Sequence, residues 1–116
     1  MHTIFKDFTF EACHSLHHLP ATHKCHAMHG HSYTVRVFAS GQLNHETGFV
    51  VDYAELSWAW QPLFSMLDHK CVNDIVTPST SENLSQWIYE QMKAAVPQVC
   101  KVVVHETATA GCEYVE

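Results

Sequence analysis

Two histidines separated by one glycine, His29-Gly30-His31, are the residues best spaced for chemistry in this 116-residue chain. They open a run of β-branched and aromatic residues, Ser32-Tyr33-Thr34-Val35-Arg36-Val37-Phe38, which predicts a strand. Side chains alternate faces along a strand, so His29 and His31 point the same way, about 6 to 7 Å apart along the chain. Two imidazoles so placed can reach one metal ion, and Gly30 adds no bulk between them. Cys25 comes just before the strand, where a loop can bring its sulfur near that ion. The plain alternative is two polar side chains on an exposed face, since a chain with 11 histidines offers chance pairings.

A third imidazole is what such a pair lacks. Residues 3–14 alternate as a strand, with Phe8, Phe10, Ala12 and His14 on one face and Phe5, Asp7, Thr9, Glu11 and Cys13 on the other. His14 ends the more apolar face, where a lone histidine would be a satisfied core residue. Three histidines with one open position make a catalytic zinc site, as opposed to a closed structural one. His17, His18 and His23, in the loop 15–28, could compete as ligands, but no period ties them to the strand pair.

Two further places could carry chemistry. Asp68 beside His69 can orient an imidazole and keep it ready to move protons; the plain reading is a helix C-terminus with a favourable cation. Glu106 ends the apolar face Cys100, Val102, Val104 of a predicted strand, Val99–Glu106. A carboxylate there needs a partner. That partner is either the guanidine-like edge of a ligand or a salt bridge to Arg36 or Lys101.

The elements that must position these residues are legible in order. Strand 3–14, loop 15–28 and strand 29–40 are followed by glycine- and Asn44-rich turn chemistry to Gly48. Phe49-Val50-Val51 then leads to a helix capped by Asp52, with Glu55 three residues on. Leu56, Ala59, Trp60, Leu63 and Leu67 form its apolar stripe, and Pro62 should kink it. Trp58 and Trp60 have no ligand role. After a loop over 70–79, Ser79, Thr80 or Ser81 caps a second helix with the stripe Leu84, Trp87, Ile88, Met92 and Ala95, ended by Pro97. The third long strand and a short one, Cys112 to Val115, complete the order ββααββ. The expected class is α+β: a four-stranded antiparallel sheet with both helices on one face, in a single domain spanning 1–116.

Composition narrows the partners. The formal charge is −6 and there is no basic run, which argues against nucleic acid. A small anionic ligand stays open, because a metal and a few local cations outweigh net charge. No window approaches the roughly 18 apolar residues of a membrane span. Met1–Asp7 lacks a basic region followed by an apolar stretch, so a cytoplasmic location is expected. The five cysteines, Cys13, Cys25, Cys71, Cys100 and Cys112, show no paired spacing and are expected as free thiols.

Five blocks, in order, carry a family resemblance. They are Phe8-Thr9-Phe10-Glu11-Ala12-Cys13-His14, Cys25-x-x-x-His29-Gly30-His31, Gly48-Phe49-Val50-Val51-Asp52-Tyr53, Leu67-Asp68-His69 and His105-Glu106-Thr107-Ala108-Thr109-Ala110-Gly111. With them the chain resembles the 6-pyruvoyl-tetrahydropterin synthase family. It is most similar to the bacterial 6-carboxy-tetrahydropterin synthase branch of the queuosine (7-deazapurine) pathway, with which the Cys-x-x-x-His-Gly-His spacing is associated. The resemblance implies His14, His29 and His31 as Zn2+ ligands and Cys25 as catalytic base. It implies Asp68 and His69 as a second acid/base element, and Glu106 as the grip on the 2-amino and N3 edge of a pterin. It also implies the tunnelling fold, a homohexamer and active sites at subunit interfaces, with Cys25 and Glu106 serving one substrate from different chains. The implied reaction is a lyase conversion of 7,8-dihydroneopterin triphosphate.

The chain departs from the family pattern twice. Ala27 stands where relatives often carry Arg, so the triphosphate would fall to Lys24, His23 or His26. Cys13 stands where Ala is usual, with its side chain expected to point away from the metal. Three other readings remain. They are the pyruvoyl reaction on the same scaffold, a non-catalytic zinc module closed by Cys25 and three histidines, and a zinc hydrolase. The last lacks a Glu placed near the histidine pair, as in a His-Glu-x-x-His helix.

Overall fold

A computed structural model describes residues 1–116. Its elements are β1 (His2–His14), β2 (His29–Gly41), α1 (Tyr53–Leu67), β3 (Lys70–Cys71), α2 (Ser81–Ala95), β4 (Val99–His105) and β5 (Gly111–Tyr114). Single 3-10 turns lie at Lys24–His26 and Val72–Asp74. The sheet order is β3-β1-β2-β4-β5. All neighbours are antiparallel except β3, which runs parallel to β1. The α+β class with two helices on the sheet holds, but the sheet has five strands rather than four and is mixed rather than purely antiparallel. The extra strand falls in the stretch read as loop 70–79. A two-residue strand has no alternation by which to be recognised.

Period two explains the sheet. Phe10, Ala12 and His14 on β1 and Tyr33, Val35, Val37 and Ala39 on β2 are buried on the helix-covered face. The apolar stripes of α1 (Leu56, Trp60, Leu63, Leu67) and α2 (Leu84, Ile88, Met92) close over them. Ala95 is exposed, and Ser85 and Tyr89 are buried in α2 instead. Asp52 caps α1, its carboxylate accepting from the Ala54 N–H at 2.9 Å. Thr80, of the three candidates, caps α2, accepting from the Asn83 N–H at 3.2 Å. The helix α1 continues through Pro62. Both Pro62 and Trp58, four residues earlier, are exposed, so water can satisfy the carbonyl left without a donor.

A register shift between Phe38 and Ala39 leaves Cys100 unpaired against β2. Val99 and Val102 therefore both face the core, and Cys100 is only half-buried. The strand also ends at His105, one residue before Glu106. The expectation that Glu106 closes an unbroken period-two face with Cys100 is thus corrected. No helix is long and apolar enough to cross a membrane.

Candidate metal centre and its cavity

The pairing of β1 with β2 sets the three histidines. His14 lies opposite His29, and His31 opposite Ala12, on the helix-facing side of the sheet. Directly opposed residues in an antiparallel pair project to the same face, so His14 meets the His-x-His pair. The ring centroids are 4.5 to 5.0 Å apart. One ligand nitrogen from each ring lies within 4.8 Å of the other two. His17, His18 and His23 are outside this group.

Hydrogen bonds fix which nitrogens face inward. His14 Nδ1 lies 2.7 Å from the Ser79 carbonyl, and His29 Nδ1 2.8 Å from the Ala27 carbonyl. A carbonyl only accepts, so both Nδ1 atoms carry the proton and both Nε2 atoms keep a free lone pair. His31 Nε2 sits 3.1 Å from His14 Nε2. Two nitrogens on one tetrahedral zinc ion, at about 2.0–2.1 Å from it, lie about 3.3 Å apart. Burial is the main cause that lowers the His31 pKa; the Glu106 carboxylate opposes it, and His14 and His29 add to it. Neutral imidazoles are the form that binds metal. The donor set fits a zinc-type ion held by three histidines.

The centre opens into a cavity of about 510 Å³ lined by His14, His29, His31, Leu16, Lys24, Cys25, Glu106, Thr107 and Ala110. Cys25 and Glu106 therefore line one cavity within a single chain. Glu106 Oε2 is 3.7 Å from His31 Nε2. The alternative partners are engaged elsewhere: Arg36 holds Asp7 at 2.7 Å, and Lys101 holds Glu113 at 3.5 Å. Gly111 lets the Glu106 turn close. A Cβ there would stand 2.6 Å from the Val104 carbonyl, and the Glu106 N–H donates to Ala110 O at 3.0 Å.

Cys25 is delivered by a pinned loop. Its N–H donates to His23 Nδ1 at 3.0 Å, and its carbonyl accepts from the Leu16 N–H at 2.9 Å. Ser15 Oγ donates to His26 O at 2.6 Å, and His26 Nδ1 lies 2.9 Å from Leu19 O. Asn73 is a positioning residue that patterning does not reveal. Its amide brackets Ser15, accepting from the N–H at 2.9 Å and donating to the carbonyl at 2.8 Å. It also accepts from Ser79 Oγ at 3.0 Å, next to the carbonyl that orients His14. The only hint in the sequence is an Asn in a turn.

Asp68 and His69 are not brought to this cavity within one chain. Asp68 Oδ1 accepts from the Glu11 N–H at 2.9 Å, and Oδ2 lies 2.8 Å from His69 Nδ1. The Glu11 N–H, and then His69, hold the Asp68 carboxyl below its usual range. His69 has φ 57°, a left-handed backbone after the α1 C-terminus that turns the chain into β3. Its side chain is 79% exposed and lines a separate hollow of about 490 Å³ with Glu11, Cys13, Ser32 and Lys70, touching the first cavity only through His31.

A five-stranded sheet carrying two helices on one face, with three histidines at the end of its central strands, is the tunnelling fold. The structure of Caenorhabditis elegans 6-pyruvoyl tetrahydropterin synthase superposes with a TM-score of 0.88 at 26% identity, covering 98% of this chain and 94% of that one. The profile of the 6-pyruvoyl tetrahydropterin synthase family matches residues 3–116, and the chain belongs to that family. A Synechocystis relative named 6-carboxy-5,6,7,8-tetrahydropterin synthase is 39% identical over 98% of this chain and 93% of its own length. The 6-pyruvoyl tetrahydrobiopterin synthase of Drosophila melanogaster is 34% identical over 85% of this chain and 70% of its own. The chain is an enzyme of the pterin-lyase type.

Proposed function

We propose that this enzyme converts 7,8-dihydroneopterin triphosphate and water to 6-carboxy-5,6,7,8-tetrahydropterin, acetaldehyde and triphosphate, in 7-deazapurine (queuosine) biosynthesis. The observation that carries the reading is the convergence of His14, His29 and His31 on the wall of a cavity that also holds Cys25 and Glu106. The three imidazoles would hold Zn2+, which when bound supplies Lewis-acid stabilisation of charge developing on a substrate oxygen. Cys25 serves as general base toward the substrate side chain; its loop is tied on both sides, which fixes the backbone from which the thiol reaches the cavity. Glu106 accepts from the 2-amino and N3 positions of the pterin, which explains a carboxylate left without an Arg or Lys partner. Of the three candidates for the triphosphate, Lys24 lines the cavity, whereas His23 and His26 lie outside its lining and each uses its Nδ1 inside the loop.

The Asp68–His69 pair supplies the second proton transfer. Because it faces another hollow in its own chain, it would do so in a homohexamer, reaching the cavity of a neighbouring subunit. The closed module of one cysteine and three histidines is disfavoured, because the Cys25 sulfur is outside the group of converging ligand atoms. Incubation with dihydroneopterin triphosphate, with and without a chelator, followed by mass analysis, tests the proposal. Acetaldehyde and a carboxylated pterin, both lost with chelator, are expected. A pyruvoyl pterin without acetaldehyde would overturn the carboxy reading, and activity indifferent to chelator would overturn the metal.

A further inference from the structure

Two thiols that the mechanism does not use meet at the joint between β1 and β3. Cys13 and Cys71 are register partners in that parallel pairing. Paired strands lie about 4.7–4.9 Å apart, inside the roughly 4.4–6.8 Å Cα separation that a disulfide bridges. Neighbouring residues in a ladder project to the same face. Both residues are free and half-buried. Their other contacts are weak: Cys13 Sγ to the Lys70 carbonyl at 3.8 Å and Cys71 Sγ to Asn73 Oδ1 at 3.6 Å. Cys13 lines the hollow of about 490 Å³, so a small oxidant can reach this thiol. The strand β3 is two residues long, and a small shift there disturbs little of the sheet.

We propose that Cys13 and Cys71 form a redox-active dithiol that peroxides convert to a disulfide joining β1 to β3. One thiolate attacks a peroxide oxygen and breaks the O–O bond. This leaves a sulfenic acid, and the departing hydroxide takes up the thiol's proton as water. The second sulfur attacks the sulfenic sulfur, the S–S bond forms, and a second water leaves. Two thiols and one hydrogen peroxide give one disulfide and two waters; the sulfurs are oxidised and the peroxide oxygens reduced. The new bond would run from the residue before His14 to the second residue after His69, clamping the segment that carries His69 onto a strand that carries a metal ligand.

The test treats the full chain with hydrogen peroxide, quenches in acid, alkylates the remaining thiols and maps the peptides by mass, before and after dithiothreitol. The Cys25→Ala variant is treated in parallel, to remove the thiol of the other cavity. Expected in both is the loss of two alkylatable thiols, with Cys13 and Cys71 in one cross-linked peptide that dithiothreitol separates. Recovery of both thiols fully alkylated would overturn the proposal. So would their conversion only to sulfinic or sulfonic acids, or linkage of either to a different cysteine.

Discussion

The cavity beside the triad and the hollow beside His69 share one wall, His31, and have similar volumes, about 510 and 490 Å³. They differ in how their polar groups are aimed. In the first, backbone carbonyls hold two rings so that their lone pairs converge, with a thiol and a carboxylate already facing the same space. In the second, a carboxylate anchored to β1 presents one exposed imidazole outward. Convergent groups define a site within one molecule. A single oriented group defines half of one, which is the form a residue takes when it acts on a substrate held elsewhere.

Substitutions can break this contrast, and the largest effect should fall on the triad. His29→Ala is expected to lose the metal and reduce turnover by at least ~10³-fold, checked by metal content and steady-state rate. If the variant keeps both, the convergence has no catalytic meaning. Cys25→Ala should keep its metal content and fall ~10²–10⁴-fold in turnover, the range for a lost proton-transfer group. Full activity would remove Cys25 from the mechanism.

The second hollow gives a sharper test. His69→Ala should lose ~10²-fold or more in turnover with metal content unchanged. Chains carrying Cys25→Ala and chains carrying His69→Ala, refolded together, should regain turnover that neither has alone, since some mixed sites then take Cys25 from one variant and His69 from the other. Mixing without recovery would argue that both groups serve one chain's own site. A smaller effect is expected from Asn73→Ala, which leaves the buried Ser15 N–H unpaired while Ser79 Oγ still donates to the Ser15 carbonyl; the cost of about 1–3 kcal/mol is readable as a lower urea midpoint.

The smallest lies on the far sheet face. Asp7→Asn removes the ion pair with Arg36, which should change stability by no more than about 1 kcal/mol. The Arg36 guanidinium beside Asp7 lowers its carboxyl pKa, so the pair's contribution is present above the usual carboxylate range and is lost as pH falls through the lowered value. Urea midpoints at neutral and acid pH should therefore converge between the variant and the parent chain.

Much of this arrangement was legible in residue order. The long strands carry period-two patterns, both helices carry apolar stripes with polar caps, and His-x-His on a strand leaves little choice of direction. What escaped was decided by contacts remote in sequence. The strand β3 exists because Lys70 and Cys71 lie along β1. The shift at Cys100 comes from pairing with β2, and it puts Val99 and Val102 in the core together. Thr80 caps α2 because the Ser79 hydroxyl is occupied by Ser15 and Asn73. Asn73 itself carries no pattern at all. The placement of Cys25 and Glu106 in one cavity of a single chain was likewise invisible, since it depends on two loops meeting at the ends of the strands.

The absent side chain at Gly111 has a consequence for how the substrate grip could vary. With 2.6 Å between a hypothetical Cβ and the Val104 carbonyl, even alanine would force the last hairpin apart. The carboxylate at position 106 hangs from that hairpin, so its depth in the cavity is set by backbone closeness and not by its own rotamer alone. Re-tuning ring recognition by changing residue 106 would leave the hinge intact, whereas any bulk five residues later would shift the whole jaw.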